Sequence, residues 1–433
     1  MTHRTRLSPV TCGFHSGRRW RRHALQAAAA TLVIGLLAAC GGRPGTTPSD
    51  TATTASPPGT SSAPGAPTSP ANLAALGAIV ETKMAELLVP GAVVLVRTSE
   101  SDWIEAFGTR EVGADDPVTV DDHFRVGSNT KTMTGTVLLQ LVDEGLISLD
   151  DPVSKYRPDV PNGDAITVEQ LLTMRSGLFN YSELESFNVI LDEDPERVWQ
   201  PEELVALGLA EPVYFAPGAG FHYSNTNTVL AGLIIEQLTG NKLEVEFQQR
   251  LYEPLGLTNT SFPPIEDAAL PAPHPHGYLY GTNVSTLQDA ALPSVQQAEA
   301  SAGTLRPNDV TNLNPSWGWA AGAAISTASD LADYVEALIE GGLLSSQQQQ
   351  ERLDSIQPSN PDDPSSAGYG IALAQFGPML GHDGSLPGFQ SFMAHDPERG
   401  ITLIVLTNLQ AGPAGEQVAN EIARAVIGEL YAD

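Results

Sequence analysis

"RVGSNTKTMTGTVLLQLVDEGL", residues 125–146, opens on small and polar residues and ends as an apolar run of helical period. Its reading decides the fold, because of where Lys131 stands. The N-terminus of a helix carries partial positive charge and is a poor place for an ammonium group. A Glu at that position, three residues after a Ser cap, would complete a capping box. If the helix begins at Asn129, Ser128 and Lys131 are three apart and share one face. The helix terminus and a buried pocket both disfavour the charged amine. A neutral Lys131 can take the hydroxyl proton of Ser128, which gives an activated nucleophile without a histidine. Taken alone, S-x-x-K also fits a Ser cap beside a solvated lysine. The chain has only four lysines (83, 131, 155 and 242), so this one is not part of a basic run.

Two further stretches carry chemistry. In "PGAGFHYSNTNTVLAGLIIEQLTG", residues 217–240, Tyr223 and Asn225 stand on a loop just before a helical pattern. A phenol relays protons and an amide both donates and accepts hydrogen bonds. The plainer reading is that Tyr223 packs and Asn225 caps the helix. In "GHDGSLPGF", residues 381–389, three glycines open the backbone to close approach, and His382 offers a hydrogen bond or a positive charge. The plainer reading there is a glycine-rich turn.

The rest of the chain frames these motifs. Residues 1–39 hold six Arg, no acid and the apolar run "ALQAAAATLVIGLLAAC" up to Cys40. A basic region followed by a short apolar segment reads as a secretory signal. That segment is shorter than the roughly 20 residues of a membrane span. Residues 41–70 are nearly all Gly, Pro, Ser, Thr and Ala, which suits a tether and not a core. Beyond residue 39 there are 16 Lys and Arg against 51 Asp and Glu, a formal charge of −35. Such a surface repels nucleic acid and anionic lipid, so no nucleic-acid partner is expected. The only cysteines are Cys12 and Cys40, so residues 71–433 form no disulfide and no thiolate metal site. His274 and His276 resemble a ligand pair but lack further ligands nearby in sequence; no metal and no cofactor are expected.

From Ala71 onward the texture is that of one globular domain, 71–433. "GAVVLVRT" with "WIEAFGTR", and the two halves of "FQSFMAHDPERGITLIVLTN", read as hairpins. Helical patterns occupy 129–146, 167–175, 201–209, 226–239 and 243–252, and an amphipathic helix closes the chain at 414–431. Strands at both ends with helices between predict an α/β (α+β) architecture. Its sheet would be built from distant segments and flanked by helices, with an inserted, mostly helical region.

Taken together, S-x-x-K early, Y-x-N about a hundred residues on and H-x-G near the end resemble the serine β-lactamase and D-alanyl-D-alanine peptidase superfamily. The nearest branch looks like the class C β-lactamases and their carboxypeptidase and esterase relatives. "FRVGSNTKTMT", "GLISLDDPVSKY", "ITVEQLLTMRSGL", "YEPLGLTNTSF", "AGAAISTASDLADYVEALI" and "GHDGSLPGFQSF" carry that likeness across residues 75–430. "LLAAC" likewise resembles a lipoprotein lipobox, which implies a lipidated Cys40, export and a membrane anchor at the cell envelope. An ordinary cleavage after Ala39 is the alternative. The arginine pairs also hint at twin-arginine export.

The resemblance implies an antiparallel β-lactamase/transpeptidase-like sheet and specific roles. Ser128 would be the nucleophile and Lys131 its base. Tyr223 would carry the proton to the leaving group and help activate water for deacylation, and Asn225 would orient Lys131 and hydrogen-bond the substrate amide. His382 would support Tyr223 electrostatically, and the N–H groups of Ser128 and Ser385 would form the oxyanion hole beside Gly384. Each such donor is worth about 3–4 kcal/mol to the tetrahedral intermediate. Phe179 and Tyr181 would line the substrate pocket, with Trp317 and Trp319 near it; for each of the four, packing is the alternative. Asp383 departs from the family, whose penicillin-recognising members usually carry Thr or Ser there. If it pointed inward it would repel a substrate carboxylate. No Lys or Arg lies between Arg352 and Arg399 to compensate. The reading ranks a D-alanyl-D-alanine carboxypeptidase acting on peptidoglycan peptides first, a small-molecule esterase or amidase next and a β-lactamase third. A tethered penicillin-binding or sensor protein that does not turn over is the competing class. The sequence does not reveal an oligomeric state.

Overall fold

The structure is a computed structural model that describes residues 70–360, 362–363 and 366–432. The expected signal, Cys40 and residues 41–69 of the expected tether lie outside the described residues. In chain order, helix α1 (Pro70–Leu87) leads into the hairpin of β1 (Gly91–Arg97) and β2 (Asp102–Gly108). A mostly helical stretch follows. Among its elements are α2 (Thr130–Asp143), α3 (Asn225–Thr239), α4 (Ala328–Glu340) and α5 (Ser346–Asp354). The chain then returns as β3 (Gln357–Pro358), β4 (Gly368–Gly370), β5 (Leu373–Phe376), β6 (Met379–Leu386), β7 (Phe389–Asp396) and β8 (Ile401–Thr407). Helix α6 (Val418–Leu430) ends the fold.

These strands form one antiparallel sheet in the order β2-β1-β8-β7-β6-β5-β4-β3, so the first hairpin docks on the last strand. Alternation of side chains divides each central strand between two cores. Ala92, Val94 and Val96 of β1 face α1 and α6 with Phe392, Val405, Ile422 and Val426. Val93 and Leu95, with Ile404 and Leu406, face the helical insertion. This two-sided burial is why "GAVVLVR" and "ITLIVLT" are apolar at nearly every position. Among the described residues no helix is long and apolar enough to cross a membrane.

Both expected hairpins are present. Elsewhere the boundaries move. Residues Gly127–Asn129 form a 3-10 turn ahead of α2, which starts one residue later than the pattern suggests. The 243–252 pattern divides into a short α-helix, Leu243–Phe247, and a π-helical turn, Gln248–Tyr252. The glycine-rich stretch at 381 is strand β6, not a turn. The turn lies beyond it, at residues 387–388, where Gly388 takes a φ of 96°.

Candidate active site

Strand β6 runs beside the turn that bears Ser128, at a separation only glycine allows. A Cβ on Gly384 would sit 2.1 Å from the Val126 carbonyl oxygen and 2.9 Å from the Ser128 amide nitrogen. One on Gly127, whose φ is +54°, would sit 2.7 Å from the Ser385 nitrogen. The turn is also pinned to β7: Asn129 donates to Val126 O and to Ser391 Oγ (2.7 Å), and Ser391 Oγ donates to Val126 O (2.8 Å). The amides of Ser128 and Ser385 therefore border one crevice, the arrangement an oxyanion hole needs.

Lys131 is fully buried. Its Nζ lies 3.0 Å from Ser128 Oγ, 2.7 Å from the Ala321 carbonyl oxygen and 4.8 Å from the centre of the Tyr223 ring. Burial drives its pKa well below the usual lysine value, and the charge of Asp383 only partly opposes that shift. A neutral amine donates one N–H to Ala321 O and turns its lone pair to Ser128, so the contact reverses and the serine O–H donates. Thr130 and Thr134 brace this end of α2: Thr130 Oγ1 accepts from the Ala324 amide, and Thr134 Oγ1 donates to Ala320 O.

Tyr223 is half-buried, but its hydroxyl oxygen is buried and has no hydrogen-bond partner of normal geometry among the described residues. Burial pushes the phenol well above 10, and neighbouring Tyr369 adds to the shift; the hydrogen-bonding pull of Ser128 is a smaller, opposing effect. Tyr223 is thus a protonated phenol at neutral pH, next to an amine that favours its neutral form. This is the pairing expected of a general acid and a general base working in one pocket.

His382 sits on the face of β6 that also carries Leu386, toward the helical core, and is 2% exposed. Its Nδ1 lies 2.6 Å from Asp383 O, and its Nε2 lies 3.2 Å from the hydroxyl of Tyr369 on β4. Burial pushes its pKa down to about 4; Asp383 opposes that shift and Lys131 adds to it. Of the two roles open to His382, a hydrogen bond or a positive charge, this disfavours the charge, because desolvation outweighs the adjacent carboxylate. Tyr369 had no part in the sequence reading. Its only signal was a Tyr between two glycines at 368–370.

Three other expectations are revised. Asn225 does not orient Lys131. Its Nδ2 donates to Ser182 Oγ (3.0 Å) and its backbone N–H to Asn180 Oδ1, so the 180–182 loop takes the amide. The carbonyl of Ala321 holds the amine instead, and a carbonyl has no side-chain signature. Asp383 does not line the crevice: it lies on the opposite face of β6, where its Oδ2 accepts from Asn420 on α6 (2.8 Å). Tyr181 is not a pocket wall but core. It is fully buried, donates to Trp317 O (2.6 Å) and packs edge-on against Phe187. Trp317 and Trp319 are buried as well. Phe179 remains half-buried, stacked on Tyr214, whose ring in turn stacks on His222. Glu183 accepts from both Tyr214 and His222, which closes a cluster the sequence reading passed over. His276 pairs with Asp309, and no group of metal-binding side chains occurs among the described residues.

The family description Beta-lactamase matches residues 76–427. The chain belongs to the beta-lactamase family. Its fold is that of the family, and the chain is a serine hydrolase of the beta-lactamase and penicillin-binding-protein type. Among solved structures it is similar to a D-stereospecific amidohydrolase from Streptomyces sp., at 32% identity and a TM-score of 0.68, covering 82% of this chain and 98% of that one. It is also similar to the D-amino acid amidase of Ochrobactrum anthropi SV3 bound to D-phenylalanine, at 27% identity and a TM-score of 0.68, covering 83% and 99%. PbpX of Bacillus subtilis, a protein named as penicillin-binding, is 25% identical over 346 residues, which are 79% of this chain and 76% of the relative.

Proposed function

We propose that this protein is an amidohydrolase that forms an acyl-enzyme on Ser128 and favours substrates whose leaving group bears no free carboxylate. One observation carries the preference. The groups gathered around Ser128 (Lys131, Tyr223, His382, Tyr369 and Ser385) include no permanent cation. Lys131 and His382 are both shifted toward their neutral forms by burial. A buried carboxylate without a charged partner is strongly disfavoured. The two amidases with similar structures support the same substrate class.

In this reading the Ser128 hydroxyl proton passes to Lys131 Nζ as Oγ attacks the substrate carbonyl carbon. The oxyanion forms against the Ser128 and Ser385 amides. The Tyr223 phenol then protonates the departing amine, and Lys131 returns the proton to Tyr223. Water repeats the attack on the acyl-serine through the same groups. The lipobox-like Cys40 would anchor this chemistry at the cell envelope. A carboxypeptidase of the penicillin-binding type is the second reading, favoured by the similarity to PbpX. A matched pair of D-amino-acid peptides, one with a free C-terminal carboxylate and one amidated, decides between them. The amidated peptide should show a kcat/KM at least about tenfold higher, because the free carboxylate loses water without gaining a charged partner. Faster cleavage of the free acid would overturn the preference, and the mass of a Ser128 adduct, absent in Ser128→Ala, checks the nucleophile separately.

A further inference from the structure

His382 has two ring nitrogens, and the structure fixes what each must do. Nδ1 faces the Asp383 carbonyl oxygen at 2.6 Å, an atom that only accepts. Nδ1 therefore carries the proton. In a neutral imidazole Nε2 is then a bare acceptor, and the Tyr369 hydroxyl, 3.2 Å away, must be its donor. Tyr369 is itself fully buried, and its ring stands edge-on to both partners of the site, 6.0 Å and 88° from Tyr223 and 5.7 Å and 89° from His382. It reaches that place from β4, where flanking glycines let the strand press on its neighbours. A Cβ on Gly370 would sit 2.5 Å from Ser355 Oγ, and one on Gly368 would sit 2.7 Å from an Ile356 methyl.

We propose that Tyr369 is a positioning residue of the acyl-transfer site: by donating its phenol proton to His382 Nε2 it locks the imidazole as the neutral Nδ1–H tautomer and keeps the wall beside Tyr223 uncharged. The proposal rests on the amidohydrolase reading only for its consequence, an uncharged pocket; the tautomer itself does not depend on turnover. The titratable groups that face the ring are Tyr369 on β4, Tyr223 ahead of α3 and Lys131 on α2, and the neighbouring Asp383, though its side chain leaves toward α6, stays close. Asp383 Oδ1 lies 3.6 Å from Nδ1 and would favour the imidazolium, so a competing influence is present. A hydrogen bond donated to the neutral form at Nε2 opposes it, because protonation there would destroy that bond. The downward displacement of the histidine pKa to about 4 has the same sign.

Long-range proton–nitrogen NMR on the soluble domain (residues 71–433) tests the tautomer directly, with His382→Gln used to assign the signal. Wild type should show a protonated Nδ1 and a lone-pair Nε2 from pH 9 down to pH 5. An Nε2–H tautomer, or titration near pH 6.5, would overturn the proposal whether or not Ser128 acylates. Tyr369→Phe should raise the histidine pKa and slow acylation of Ser128 by roughly tenfold, the equivalent of one hydrogen bond. In the His382→Gln background the same change should slow acylation less than about twofold, since the effect runs through the imidazole. Equal losses in both backgrounds would assign Tyr369 a packing role and defeat the proposal. Should Tyr369→Phe fail to fold, the wild-type tautomer still decides.

Discussion

Lys131 and Arg352 are both wholly buried basic side chains at helix α2: Lys131 lies on it, and Arg352 donates to it. Their surroundings treat them differently. Lys131 stands between a hydroxyl and a carbonyl, and burial takes its pKa far down. Among the described residues Arg352, on α5, donates once, to Thr136 Oγ1 (2.8 Å), and its Nε and Nη1 have no hydrogen-bond partner. Burial lowers its pKa only to about 10, so it stays charged at neutral pH. The contrast follows from the head groups. An ammonium is compact and strongly hydrated and gives up its proton when dehydrated, whereas a guanidinium spreads its charge and keeps it. Only the residue that loses its charge can act as a base.

The sharpest way to break this comparison is Lys131→Met. Loss of the base should slow acylation of Ser128 by about 10²–10⁴-fold, measured as adduct formation by intact mass. Stability should move the other way. With a folded pKa below the unfolded value of 10.5, the unfolded chain binds more protons between those two pH values. Wild-type stability therefore rises with pH through that window and is lowest beneath it. Lys131→Met should flatten this dependence and raise Tm at pH 7. A variant that acylates like wild type, or that retains the pH slope, would mean Lys131 is not the buried neutral amine described.

Next in size is Gly384→Ala. The new methyl group would collide with the Val126 carbonyl and crowd the Ser128 amide. Strand β6 must then move away from the 3-10 turn, which separates the two amides of the oxyanion hole. A fall in kcat of about 10²–10³-fold is expected with Lys131 still neutral. A variant of normal kcat would show that the Ser385 amide does not serve the oxyanion.

What the sequence revealed and what it hid follow one physical division. Ser128 and Lys131 were legible because one helical turn fixes their spacing, and Tyr223 because a loop beside a strongly periodic helix marks it. The apolar runs of β1 and β8 were legible because two-sided burial writes itself into nearly every position. Asn225 was misassigned because the direction of a side chain at a helix start depends on which loop lies opposite. Residues 180–182 approach it from 43–45 positions away in the chain. Asp383 and His382 are adjacent in sequence and were read as one motif, yet the pleat sends one to α6 and the other to Tyr369. Strands β3, β4 and β5 span two to four residues, too few for a period to register, and Tyr369 came with them.

The smallest expected effect belongs to Arg352→Met. An ion buried without a charged partner is costly, so exchanging it for an apolar side chain of similar length removes a desolvation penalty and one hydrogen bond together. The two nearly cancel, and the unfolding free energy should change by no more than about 1 kcal/mol. The control is Thr136→Val, which keeps the guanidinium and deletes the hydrogen-bond partner it has among the described residues; leaving a buried donor unsatisfied should cost about 1–3 kcal/mol. Acylation by either variant should stay within about twofold of wild type, since neither touches the Ser128 crevice. Denaturant titration measures both. If Arg352→Met proved the more damaging of the pair, the guanidinium would be paired in solution, and the contrast between the two buried basic residues would reduce to Lys131 losing a proton that Arg352 keeps.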